Sequence, residues 1–167
     1  EGTVMNLVVF SGPPSSGKTS VILKTIDALK QQGISVGVVK FHCLYTDDDV
    51  LYEKAGIPVK KGLSGALCPD HFFVSNIEEV VQWGRSLGVS MLITESAGLC
   101  NRCSPYIKDI KGISVIDNRS VINTPKKIGP MLKSADIGII TKGDIVSQAE
   151  REVSASRVNS VNPTAVT

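Results

Sequence analysis

Short apolar runs and longer amphipathic stretches alternate along this chain. Met5–Phe10 is a Val-rich run that reads as a buried strand, and Lys18–Gln32 has helical spacing at Val21, Ile22, Thr25, Ile26 and Leu29 before Gly33. Ser35–Phe41 is a second Val-rich strand. Asp47–Ala55 reads as a short helix stopped by Gly56 and Pro58, and Val59–Pro69 as mostly loop. Ser75–Leu87 opens with the Ser-x-x-Glu pattern of a capping box (Ser75, Glu78) and runs as an amphipathic helix to Gly88. Strands follow at Ser90–Thr94, Ile113–Ile116 and Ile137–Ile140, with helices over Pro125–Ser134 and Ser147–Val161.

Strands alternating with helices predict a three-layer α/β fold, a mostly parallel central sheet flanked by helices. In such a fold ligands gather beyond the carboxyl ends of the strands. A length of 167 residues fits a single domain. The closing run Asn162–Thr167 reads as the entry to another strand, so the domain is expected to need a further strand and helix after Thr167.

Charge narrows the partners. The 18 basic and 16 acidic side chains nearly cancel to +2, which gives no electrostatic footprint for nucleic acid or a membrane surface. No apolar run approaches the roughly 20 residues of a membrane span, and the start has no signal-peptide pattern. A cytoplasmic protein is expected, with its four cysteines reduced rather than paired as disulfides.

The loop after the first strand carries the most specific motif. Gly12-Pro13-Pro14-Ser15-Ser16-Gly17-Lys18-Thr19 matches G-x-x-x-x-G-K-[ST] and opens a helix that continues with Ser20, the context a phosphate-binding loop requires. Backbone N–H groups in such a loop form an anion nest, reinforced by the helix start. Lys18 would reach the β- and γ-phosphates, and the Thr19 hydroxyl would ligate Mg²⁺. Further along, Thr141-Lys142-Gly143-Asp144 follows the last strand and is a variant of the Asn-Lys-x-Asp guanine motif. A carboxylate at Asp144 can accept from guanine N1–H and its 2-amino group, which adenine does not offer, whereas Thr141 lacks the paired donor and acceptor of an amide. The expected nucleotide is therefore GTP or GDP.

Two other segments carry metal chemistry. Cys68-Pro69-Asp70-His71 and Cys100-Asn101-Arg102-Cys103 together offer thiolates and an imidazole, a donor set that suits Zn²⁺ or Ni²⁺. Cys43 and His42 read more simply as packed side chains.

Taken in order, these motifs resemble one family, the nickel-insertion GTPases of hydrogenase and urease maturation within the SIMIBI class of P-loop NTPases. The resemblance is carried by SGPPSSGKTSVI, YTDDDVLYEKAGIPV, GALCPDH, LITESAG with the following CSP, and MLKSADIGIITKGDIV. It implies that Glu95 is the second-switch acid that organises Mg²⁺ or the attacking water, and that Gly98 follows the γ-phosphate. Phe41-His42-Cys43 stands where the family has an Asp after the second strand, so Asp47, or its neighbours Asp48 and Asp49, would complete the Mg²⁺ shell. The resemblance further implies slow GTP hydrolysis, a metal held by Cys68, His71, Cys100 and Cys103, a homodimer sharing that metal, and a client metalloenzyme or another maturation factor as partner. An iron–sulfur carrier ATPase with a cluster on Cys100 and Cys103, a small-molecule kinase, and an idle nucleotide-binding module stay open beside it.

Overall fold

The computed structural model describes residues 4–42, 47–96, 106–119 and 129–167. Six parallel strands form one sheet: β1 (Asn6–Ser11), β2 (Val36–His42), β3 (Val59–Leu63), β4 (Met91–Ser96), β5 (Lys111–Asp117) and β6 (Ile137–Thr141), in the order β3-β2-β4-β1-β5-β6. The helices are α1 (Lys18–Gln31), α2 (Asp48–Lys54), α3 (Pro69–Ser75), α4 (Ile77–Ser86), α5 (Gly129–Lys133) and α6 (Gln148–Val161). None of these is long and apolar enough to cross a membrane.

Alternation along the central strands fills two cores. Phe10, Val38, Ile93 and Val115 pack with Ile22 and Ile26 of α1 and Tyr52 of α2. Their sequence neighbours Val9, Val39 and Leu92 pack on the opposite face with Phe73 of α3 and Val80 of α4, and Ile116 packs with Met131, Leu132 and Val158. Strands covered on both faces read as continuous apolar runs because each alternate position has its own core. All ladder registers are parallel, and they bring the carboxyl ends Ser11, Phe41 and Ser96 side by side.

Several sequence expectations are corrected. The stretch read as loop from Val59 contains an edge strand: Lys60 and Lys61 interrupt the apolar pattern because β3 has a neighbour on one side alone. Pro69–Ser75 is a separate helix with Pro69 at its first position and Phe73 buried. Ser75 therefore ends α3 and caps nothing; Asn76 precedes α4, with no side-chain capping bond. A capping box does form at α6, where Ser147 Oγ accepts from Glu150 N–H and Glu150 accepts from Ser147 N–H at 2.8 Å. That contact holds the Glu150 carboxyl below its ordinary range. Val166 makes a parallel bridge to Ile137 at the β6 edge. The expected helix Pro125–Ser134 is seen from Gly129, and 125–128 lie outside the described residues.

Candidate nucleotide site

The phosphate loop leaves β1 through Gly12, and its backbone runs against the next strand. A Cβ at Gly12 would fall inside contact distance of the Val115 carbonyl oxygen, so no larger residue fits there. Gly17 enters α1 at φ 90°, a conformation that side chains disfavour, and α1 starts with no side-chain cap. Its first N–H groups are thus left for a ligand, as an anion site at a helix start requires. Lys18 is 5% exposed and curls over its own loop, donating to the carbonyl oxygens of Gly12 at 2.9 Å and Pro13 at 2.7 Å.

Glu95, 2% exposed at the end of β4, gathers three donors. Thr19 Oγ1 donates to Oε1 at 2.8 Å, the Tyr52 hydroxyl donates to Oε2 at 2.6 Å, and Lys40 Nζ lies 3.4 Å from Oε1. Lys40 is the register partner of Glu95 on β2, and α2 delivers Tyr52 from above. A cavity of about 390 Å³ opens here, walled by Pro14, Ser15, Gly17, Lys18, Thr19, Ser20, Lys40, His42, Leu51 and Glu95. The Thr19 hydroxyl and the Glu95 carboxylate, already within hydrogen-bond distance, form the hard oxygen pair that suits Mg²⁺ beside phosphates. Asp47 is exposed ahead of α2 and is not among the cavity walls. Asp49 pairs instead with Lys61 at 2.7 Å, and that lysine draws its carboxyl below the usual range.

The Thr141-Lys142-Gly143-Asp144 segment is tied to the phosphate loop at two points. Thr141 Oγ1 donates to Ser16 O at 2.5 Å, and Lys142 Nζ donates to Ser15 O at 2.7 Å. Lys142 takes a left-handed backbone (φ 57°), and its ammonium also meets Asp117 of β5 at 3.3 Å. Thr141 lacks an amide's second function but keeps a donation that, with that of Lys142, ties the loops together. Asp144 follows in a single 3₁₀ turn, exposed, and Arg151 donates to Gly143 O at 2.7 Å.

On the opposite face, Cys68 is a half-buried free thiol at the start of α3, and His71 is exposed one turn on. Between them Asp70 is 1% exposed and accepts from the Ser96 hydroxyl at 2.5 Å. Burial pushes the Asp70 carboxyl above its usual range, opposed by the Ser96 hydrogen bond and by electrostatic attraction towards His71 and Lys18. The Tyr106 hydroxyl meets Ser11 Oγ at 2.6 Å, and burial pushes it up as well. Among the described residues no cluster of three or more His, Cys, Asp or Glu is placed to hold a metal. Gly98, Cys100, Cys103 and Cys43 lie outside the described residues.

Sequence reasoning missed Lys40, Tyr52, Asp70 and Tyr106. The one signal available was a charged residue ending an apolar strand, as Lys40 ends the Val36–Val39 run.

Comparison with known proteins adds the family. A model described as "CobW/HypB/UreG, nucleotide-binding domain" matches residues 6–167. An uncharacterized protein of Methanocaldococcus jannaschii is 55% identical over 159 residues, covering 95% of this chain and 68% of that relative. The urease accessory protein UreG 2 of Bradyrhizobium sp. is 29% identical over 149 residues, covering 83% and 69%. The crystal structure of HypB from Helicobacter pylori in complex with nickel shares the fold, with a TM-score of 0.71 at 19% identity over 97% of this chain and 76% of that one. With nearly the whole chain matched, from β1 through the phosphate loop to Thr167, this protein belongs to the CobW/HypB/UreG family as its nucleotide-binding domain.

Proposed function

We infer that this chain is a GTP-binding and GTP-hydrolysing accessory protein whose nucleotide state is coupled to a Cys/His metal site, in service of maturing a metalloenzyme. The observation that carries the reading is the pair of bonds from Thr141 and Lys142 to the Ser16 and Ser15 carbonyl oxygens. They tie the guanine-type segment to the phosphate loop, with Asp144 exposed to accept from a guanine edge.

The N–H groups of Gly12, Ser15, Ser16, Gly17, Lys18, Thr19 and Ser20 cradle phosphates, with Pro13 and Pro14 shaping the loop. Lys18 exchanges the Gly12 and Pro13 carbonyl oxygens for phosphate oxygens. Thr19 and Glu95 would hold Mg²⁺, which would supply positive charge to offset that on the transferring phosphoryl group. Glu95 also orients the attacking water, and no covalent nucleophile is needed. In this reading Gly98 would follow the γ-phosphate, so that hydrolysis would alter the segment bearing Cys100 and Cys103. The Ser96–Asp70 bond links the same strand to the start of α3, where Cys68 and His71 stand. Those four residues are the proposed ligands of Zn²⁺ or Ni²⁺, within one chain or across a homodimer. A cytoplasmic setting would keep the thiols reduced. The nickel complex of HypB and the urease accessory role of UreG 2 support nickel chemistry and a metalloenzyme client.

The test is metal analysis of the anaerobically purified protein with GDP and with a non-hydrolysable GTP analogue. Stoichiometric zinc or nickel that is lost in Cys68→Ser and Cys103→Ser proteins, and held differently in the two nucleotide states, is the expected result. A brown cluster, or metal content indifferent to both substitutions, contradicts the reading.

A further inference from the structure

β2 ends by directing a lysine at the carboxylate on which the nucleotide's divalent cation would depend. Lys40 is 2% exposed, stands in register with Glu95, and its Nζ is 3.4 Å from the oxygen that also takes the Thr19 hydroxyl. It lines the same cavity as Lys18 and the phosphate loop. Thr19 and Tyr52 are neutral donors that can share Glu95 with a metal ion, but a second cation cannot do so without strong repulsion. In so enclosed a place salt screens that repulsion little. Lysine is also the side chain best able to move away, being a point charge on a flexible four-carbon stem.

We propose that Lys40 is a resident counter-ion of the nucleotide site: it neutralises Glu95 in the empty protein, adds its charge to the phosphate side when nucleotide binds, and must yield Glu95 before Mg²⁺ takes it. The inference rests on the reading of Thr19 and Glu95 as the Mg²⁺ pole. It has two consequences of opposite sign. Without Mg²⁺, Lys40 supplies part of the positive charge that binds nucleotide. With Mg²⁺, it competes for Glu95 and weakens the metal's hold. A lysine serving the fold alone would produce neither.

The experiment measures GDP affinity in EDTA, and Mg²⁺ affinity of the GDP complex, by calorimetry on the parent, Lys40→Gln and Lys40→Arg proteins, with thermal melts as the fold control. Lys40→Gln should weaken Mg²⁺-free GDP binding about tenfold and tighten Mg²⁺ about tenfold, the scale of one charged contact, while Lys40→Arg stays near the parent in both. Folded Gln and Arg proteins that behave alike, or two affinities that fall together, overturn the proposal. Should Lys40→Gln not fold, the neutral pair Lys40→Gln/Glu95→Gln is compared with Glu95→Gln alone. The Mg²⁺-free GDP affinity must then drop about tenfold between those two, and equality overturns the proposal. A parent protein that binds no nucleotide at all fails the underlying reading, and one that binds GDP with Mg²⁺ yet ignores Lys40 fails this inference alone.

Discussion

Glu95 and Ser96 are neighbours on β4, and they serve opposite faces of the sheet. Glu95 faces α1 and α2, where Thr19, Lys40 and Tyr52 converge on its carboxylate. Ser96 faces α3, where it donates to Asp70, and one strand away Ser11 meets Tyr106 in the same hydroxyl-rich layer. The first cluster is built on a buried ion pair. The second is built on hydroxyls around a carboxyl that burial keeps from ionising easily. Period-two alternation is what separates them, since a single step along the strand moves a side chain to the other face. The charged face suits polyphosphate and a divalent cation, whereas the hydroxyl face ties Asp70 of α3 to β4, anchoring the helix that follows Cys68. Lys18 links the two, because its cation eases the burial of Asp70 from across the loop.

If the faces differ in this way, breaking each should cost differently. Glu95→Ala removes one partner of a buried pair and should lower stability by about 3–5 kcal/mol in chemical denaturation, together with loss of nucleotide binding. A loss below 1 kcal/mol would mean that the ion pair is an ornament of the charged face. On the hydroxyl face, Tyr106→Phe should cost about 1 kcal/mol and leave GDP affinity at the parental value. A Tyr106→Phe protein with weakened GDP binding would join the two clusters into one functional unit and erase the contrast.

The smallest effect lies away from both clusters, at the foot of β5. Asp136 accepts from Gly112 N–H at 2.8 Å and meets Lys111 at 3.1 Å, and the backbone donor above all holds its carboxyl below the ordinary range. A depressed folded value stabilises the protein above the unfolded value of about 4 and is lost as the pH falls through the folded one. With a side chain 40% exposed, solvent screening reduces the gain, so Asp136→Ala should cost about 0.5–1 kcal/mol at pH 7. Melting curves of the two proteins should converge once the pH has fallen below the depressed folded value. A gap that persists there would assign the effect to packing.

What the residues disclosed in advance depended on whether the signal was local. The phosphate loop is legible because Gly12, Gly17, Lys18 and Thr19 act through adjacent backbone, and every central strand is legible because burial on two faces leaves an unbroken apolar run. The edge strand Val59–Leu63 escaped notice because one exposed side lets Lys60 and Lys61 into the pattern. The misplaced cap at Ser75 has a similar cause: Ser-x-x-Glu is a local pattern, and α3 had already claimed Ser75 as its last residue. Lys40 and Tyr52 are 55 and 43 positions from the carboxylate they meet, and only the β2–β4 register and the seat of α2 bring them to it. A polar cluster assembled across that separation has no signature in any window of sequence.

On its charged face, the carboxyl end of the sheet is proposed as a guanine-nucleotide site, with Asp144 reading the base. Parallel calorimetric titrations with GDP and ADP, on the parent and on Asp144→Ala, test it most directly. The account requires GDP to bind more tightly than ADP to the parent. It also requires Asp144→Ala to lose about 2–4 kcal/mol of GDP affinity, the cost of paired charge-assisted hydrogen bonds, while ADP binding stays unchanged. Equal affinity for GDP and ADP in the parent protein would contradict it.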